Sequence, residues 1–157
     1  MQKSHSYQLT VTWTGNTGQG TASYREYSRE HVVEIDGKPP LTASADPAFR
    51  GDPNLPNPED FLLAALSECH MLWYLGLCSA SGVVVTAYRD EASATMVEVP
   101  DTGGHFTEVV LRPKVVIADP ATLPKARELH AQAHRKCYIA NSVNFPVRHE
   151  PEITAGG

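Results

Sequence analysis

Residues 57–75, Asn-Pro-Glu-Asp-Phe-Leu-Leu-Ala-Ala-Leu-Ser-Glu-Cys-His-Met-Leu-Trp-Tyr-Leu, constrain the fold more than any other stretch. They read as a helix with a sharp start. Asn57 can accept a hydrogen bond from a first-turn amide, and Pro58 suits the first helical position, where no donor is needed. Glu59 and Asp60 place negative charge at the positive end of the helix dipole. Apolar residues then fall at 61, 62, 65, 66, 69, 72, 73 and 76, a helical recurrence. Leu63, Ala64, Leu75 and Leu77 widen that stripe until little polar face remains. Such a helix is expected to be central and covered on most sides.

The remaining 157-residue chain fits around it as one domain, long enough for a core without disulfide staples. Thirteen basic residues against eighteen acidic ones give a net charge of −5. With no Lys/Arg run, nucleic-acid binding is not expected. Ser67, Glu68 and His70 interrupt the apolar run of the helix, which argues against a membrane span. The opening Met-Gln-Lys-Ser-His-Ser-Tyr lacks a signal-peptide core, so a cytoplasmic location is expected. Three cysteines, Cys69, Cys78 and Cys137, fit that reducing compartment as buried, metal-binding or redox-active thiols.

Residues 1–37 read as an antiparallel meander. Tyr7, Leu9, Val11 and Trp13 alternate with polar residues, a turn occupies 15–20, and 21–27 and 30–35 read as further strands. The glycines of that turn lack the Lys-Ser/Thr of a phosphate loop. Residues 38–56 form a Pro-rich loop in which Phe49 and Arg50 are conspicuous. After the helix (57–80), a second meander spans 83–118, with Pro113 marking an edge or bulge within a long strand at 106–118. A second helix covers 119–137, and a final strand 143–153. The fold class is therefore α+β, mostly antiparallel sheets around a central buried helix.

Two constellations carry chemistry. Cys69 and Cys137 both lie on apolar helix faces and could meet in the core. Thiol redox chemistry needs an attacking thiolate and a second thiol that resolves the sulfenic acid to a disulfide. Cys137 ends a helix, where the dipole opposes a thiolate, so Cys69 is the attacking thiol and Cys137 the resolving one. His130, His134 and Cys137 form the other set, at i, i+4 and i+7. That spacing suits zinc, with Cys69 or His70 completing a site, but it equally suits a solvent-facing helix edge. Cys78, about 900° of helical rotation beyond Cys69, reads as a buried spectator.

The Asn57-Pro58-Glu59 helix start, Cys69 within an apolar helix, the distant Cys137 and the closing Asn141–Val147 segment together resemble the OsmC/Ohr family (osmotically inducible protein C and organic hydroperoxide resistance protein). The likeness covers nearly the whole chain, and Cys69-His70-Met71 with the Pro-rich loop places it nearer the OsmC-like branch. The resemblance implies an intertwined homodimer and a cysteine peroxidase for organic hydroperoxides. It implies no bound cofactor, and re-reduction by an external dithiol or a lipoylated protein. It also implies that a glutamate, matched by Glu59, and an arginine activate Cys69. Family members often carry the arginine near the first hairpin turn, where this chain has Asn16-Thr17-Gly18. Arg25, Arg29 and Arg50 are the replacements available, with Arg50 favoured over Arg25. Ten helical residues span ~15 Å, so Glu59 is expected to act from a partner chain or through a loop arginine. Leu66, Met71, Trp73 and Phe145 would favour an alkyl substrate. A non-catalytic, ligand-binding dimer of the same fold is the alternative.

Overall fold

The computed structural model describes residues 2–156. The chain divides into two compact units, Met1–Phe61 and Leu62–Gly157, and each is built differently.

The first unit holds one antiparallel sheet, β1 (Thr10–Trp13), β2 (His31–Glu34) and β3 (Leu41–Ala43), in sequence order. The strand expected at 21–27 does not form; that segment is a run of turns. Local side-chain bonds win there. The Asn16 carboxamide accepts from the Gly18 and Gly20 amides at 2.9 and 3.0 Å, and Thr17 donates to the Glu26 carbonyl at 2.6 Å. β1 therefore pairs directly with β2. The Pro-rich segment contains β3 and a 3-10 turn at Pro47–Phe49, capped by Asp46, which accepts from the Ala48 amide. Ser44 and Asp52 tie the loop together, the Ser44 amide donating to the Pro56 carbonyl and the Asp52 amide to Ser44 Oγ. A side chain at Gly51 would collide with the Ala45 carbonyl, so only glycine fits there.

Helix α1 (Pro58–Ala80) starts as its residues dictate. The Asp60 amide donates to Asn57 Oδ1 at 2.9 Å, and the Asn57 amide donates back to Asp60 Oδ2 at 3.1 Å. The helix ends at Ser81-Gly82, with Gly82 at φ 74. Its 23 residues have the length and apolar content of a bilayer span, a property shared by core helices. Only Leu66, His70, Tyr74 and Cys78 are fully buried, one i, i+4 ridge. Coverage on most sides is not found among the described residues: Leu72 is 65% exposed.

In the second unit, β4 (Val85–Asp90), β7 (Pro113–Ile117) and β9 (Glu152–Ala155) form one sheet, and β5 (Ser93–Val97), β6 (His105–Leu111) and β8 (Val147–His149) another. β4–β7 and β5–β6 pair antiparallel, but β6–β8 and β7–β9 are parallel, so the sheets are mixed. The long strand expected at 106–118 is two strands that part company at Arg112-Pro113. Proline has no N–H for the ladder, and the chain changes sheet there. The final strand likewise splits, into β8 and β9, around Glu150-Pro151. The second helix, α2 (Leu123–Lys136), begins after a separate 3-10 turn at Pro120–Thr122 capped by Asp119.

Asp90 fixes the sheet change. Its carboxylate accepts from the Arg112 amide at 2.7 Å and from Ser67 Oγ, on α1, at 2.5 Å. Asp90→Ala strands a half-buried amide and loses a charged acceptor. It is expected to cost about 2–4 kcal/mol, read as a lower urea midpoint, with Asp90→Asn intermediate. An unchanged midpoint would show that the switch is held by strand pairing alone.

Tyr74, Cys78, Val83, Val115, Ile117, Ala126, Leu129, Ala133 and Ile153 make one core. Leu66, Val109, Leu111 and Val147 make a second, with Phe145 packed beside it. The first core joins α1 to α2, and the second packs α1 against β6 and β8.

Candidate active site

Contacts between α1 and α2 run in opposite order along the two helices. Cys69 faces Cys137, His70 meets His130, and the Tyr74 hydroxyl donates to the Ala126 carbonyl at 3.1 Å. The helices are therefore antiparallel neighbours, and two thiols 68 positions apart in sequence come together. Both are free, and Cys69 lies close enough to Cys137 to raise its thiol.

The pair is asymmetric. Cys69 is half-buried, whereas Cys137 is 1% exposed and caps the C-terminus of α2. Burial pushes the Cys137 thiol up to about 11, helped by the neighbouring Cys69. The Ala140 amide, donating to Cys137 Sγ at 3.4 Å, pulls weakly the other way. At neutral pH Cys137 is therefore held as the protonated thiol. Cys69 is the more accessible of the two. Trp73, one turn beyond Cys69 on α1, sits edge-on to Tyr138 and beneath the Lys136 ammonium.

Cys78 is fully buried in the Tyr74 core, its thiol raised by burial, the spectator the helical rotation predicts. Burial also raises the Tyr74 hydroxyl far above its ordinary range, with a contribution from its bond to Cys78.

The histidines depart from expectation. His130 is not on a solvent-facing edge: it is 1% exposed, as is His70. Ring packing against Tyr74, parallel at 3.8 Å, accounts for the burial. Nor do His130, His134 and Cys137 form a metal set; among the described residues no three His, Cys, Asp or Glu side chains are so grouped. His130 Nδ1 is instead paired with His70 Nε2 at 3.0 Å, and Cys137 with Cys69. His149, on β8, lies 5.5 Å from His70 and 5.4 Å from His134, ring centre to ring centre. Nothing in the spacing of the sequence reveals His149, because the parallel β6–β8 register brings it in.

Glu59, Arg25 and Arg50 belong to the first unit. Glu59 is half-buried in the first turn of α1. Arg50 adopts a left-handed backbone, φ 66, and its guanidinium donates to the Arg25 carbonyl at 3.3 Å. Arg29 is committed elsewhere. Its guanidinium lies over the rings of Tyr24 and Tyr27, at 4.3 and 3.9 Å, and donates to both their carbonyls.

Residues 51–152 match the family model described as OsmC-like protein. The chain belongs to the OsmC-like family. An OsmC-like protein of unknown function from Vibrio cholerae is 33% identical, with a TM-score of 0.84 over 95% of this chain and 100% of that one. An organic hydroperoxide resistance protein from Elizabethkingia anophelis is 16% identical, TM-score 0.71, over 99% and 100% of the two chains. One from Legionella pneumophila is 15% identical, TM-score 0.68, over 98% and 99%. These last two share the fold of this OsmC-like chain. No curated protein matches its sequence.

Proposed function

We propose that this OsmC-like protein is a thiol peroxidase that reduces organic hydroperoxides. The observation that carries the reading is the meeting of Cys69 and Cys137, one half-buried and the other buried and protonated. The Cys69 thiolate attacks the peroxide oxygen, the O–O bond breaks, and the alcohol leaves with a proton. Cys69 sulfenic acid then condenses with the Cys137 thiol, forming the S–S bond and releasing water. The two thiols supply the two electrons that reduce the peroxide. An external dithiol or a lipoylated protein restores the thiols. Family likeness to hydroperoxide resistance proteins supports the substrate class.

Activation of Cys69 falls to Glu59 and to Arg50 or Arg25. Because α1 runs unbroken from Pro58, Glu59 lies ~15 Å along the axis from Cys69 of its own chain. A second copy is therefore the natural source of Glu59. A homodimer also answers the poor coverage of α1, and the groove of about 490 Å³ on the first unit is apolar, lined by Leu9, Val11, Val33, Leu41 and Phe61 among others.

Titration of the reduced protein with cumene hydroperoxide tests the proposal. Two thiols per chain are expected to disappear, with Cys78 left free. No loss of thiols would replace the peroxidase with a ligand-binding dimer.

A further inference from the structure

His70 follows Cys69 directly on α1, and His130 lies two turns before Cys137 on α2. Their planes differ by only 6° while their centres stand 5.4 Å apart. That separation is the 3.0 Å nitrogen distance lengthened by one ring radius at each end. The rings are thus edge to edge, with Nε2 and Nδ1 aimed at each other along the line of centres. This is a linear hydrogen bond, in which one nitrogen donates and the other accepts.

The direction follows from the other side of the His130 ring. His130 Nε2 is buried with no hydrogen-bond partner among the described residues. The tautomer that leaves no orphaned N–H on His130 puts the lone pair on Nε2 and the proton on Nδ1. His130 therefore donates to His70. Tyr74, stacked on His130, fixes the plane of the donor ring. Among the described residues, this bond and that from Tyr74 to Ala126 are the side-chain hydrogen bonds joining α1 to α2. Only the histidine bond is beside the thiols; the remaining contacts of α2 there, through Leu129 and Ala133, are apolar and non-directional.

We propose that the His130-to-His70 hydrogen bond is a positioning clamp that holds Cys69 opposite Cys137 and so sets the reduction potential of that dithiol. The inference rests on the functional reading only in taking Cys69 and Cys137 as the redox pair. Fixing α1 against α2 raises the effective concentration of one thiol at the other, and this favours the disulfide over the dithiol. The histidines act through helix position and are positioning residues.

The test equilibrates the full-length protein with mixtures of oxidised and reduced dithiothreitol. Two thiol protons and two electrons pass from Cys69 and Cys137 to the reagent as the disulfide forms. Replacing both partners, H70L/H130L, removes the bond while leaving apolar bulk, which preserves folding better than a single change. Its equilibrium constant is expected to shift about tenfold toward the dithiol, ~30 mV. H130N keeps an N–H donor at the Nδ1 position and should stay within about twofold of the original chain. A folded double variant with an unaltered constant overturns the clamp, as does an H130N shift equal to that of the double variant. Should H70L/H130L not fold, H70Q and H70M decide: glutamine keeps a strong acceptor and methionine only a weak one, so equal constants overturn the proposal. Because dithiothreitol drives the reaction, inertness toward cumene hydroperoxide would end the peroxidase reading without touching this one.

Discussion

Cys69→Ser is expected to abolish peroxide-dependent thiol loss, lowering the rate by roughly a hundredfold or more. Cys137 remains in the variant, but its thiol is 1% exposed and pushed up to about 11, so almost none of it is thiolate at neutral pH. A hydroxyl at position 69 cannot substitute, since serine is a far weaker nucleophile than a thiolate. Cys137→Ser behaves differently. Attack at Cys69 proceeds, one thiol is lost, and the sulfenic acid persists because no second thiol condenses with it. Dimedone should label that species in Cys137→Ser and not in the original chain, where the disulfide forms first. Cys78→Ser should change neither result, as its sulfur lies in the Tyr74 core. If Cys69→Ser still consumed hydroperoxide at the original rate, the roles assigned to the two thiols would be wrong.

What could be read ahead of the structure was what local chemistry decides. The start of α1 is such a case: an asparagine, a proline and two acids close a reciprocal cap without help from the rest of the chain. The α+β class followed from period and punctuation. One failure is local and the others are non-local. Residues 21–27 have strand-like composition, yet Asn16 and Thr17 tie up the neighbouring backbone before it can pair. Pro113 marked an irregularity, but not that the chain would leave one sheet for another there. Parallel pairing of β8 and β9 has no signature in single strands, because it depends on which distant strand arrives alongside.

The site divides the same way. Both cysteines stood out as thiols on apolar helix faces, but their proximity came from the antiparallel packing of α1 and α2. The i, i+4 pair His130 and His134 was visible as a metal spacing or a wet helix edge. Neither holds, since His130 turns inward to stack on Tyr74 and bond His70. A helix wheel gives faces, not the partner each face meets. The apolar circumference of α1 was equally legible, while a single chain covers only its Leu66–Cys78 ridge.

The buried imidazoles make the fold acid-sensitive well above the pH at which carboxylates titrate. Burial, then the neighbouring His149 and His134, lowers His70 to about 4; burial, then His70 and His149, lowers His130 to about 3. His149 is lowered as well, by burial and by His134. In the unfolded chain each histidine titrates near 6.5, so between that value and about 4 the unfolded state binds more protons than the folded one. Stability is therefore full above pH 6.5 and falls as the pH drops through this window. At pH 5 the loss is about 2 kcal/mol for each of His70 and His130, about 4 kcal/mol together, a large share of the stability of a domain this size. The carboxylates lowered by surface ion pairs, Glu91 and Glu128, act only below their ordinary range and leave the window to the histidines. Urea midpoints at pH 7.5 and pH 5 should differ accordingly, and H70L/H130L should lose most of that difference. Equal midpoints for the original chain would mean that His70 and His130 can take up protons in the folded state, and that the fully buried, hydrogen-bonded pair is not how the protein stands in solution.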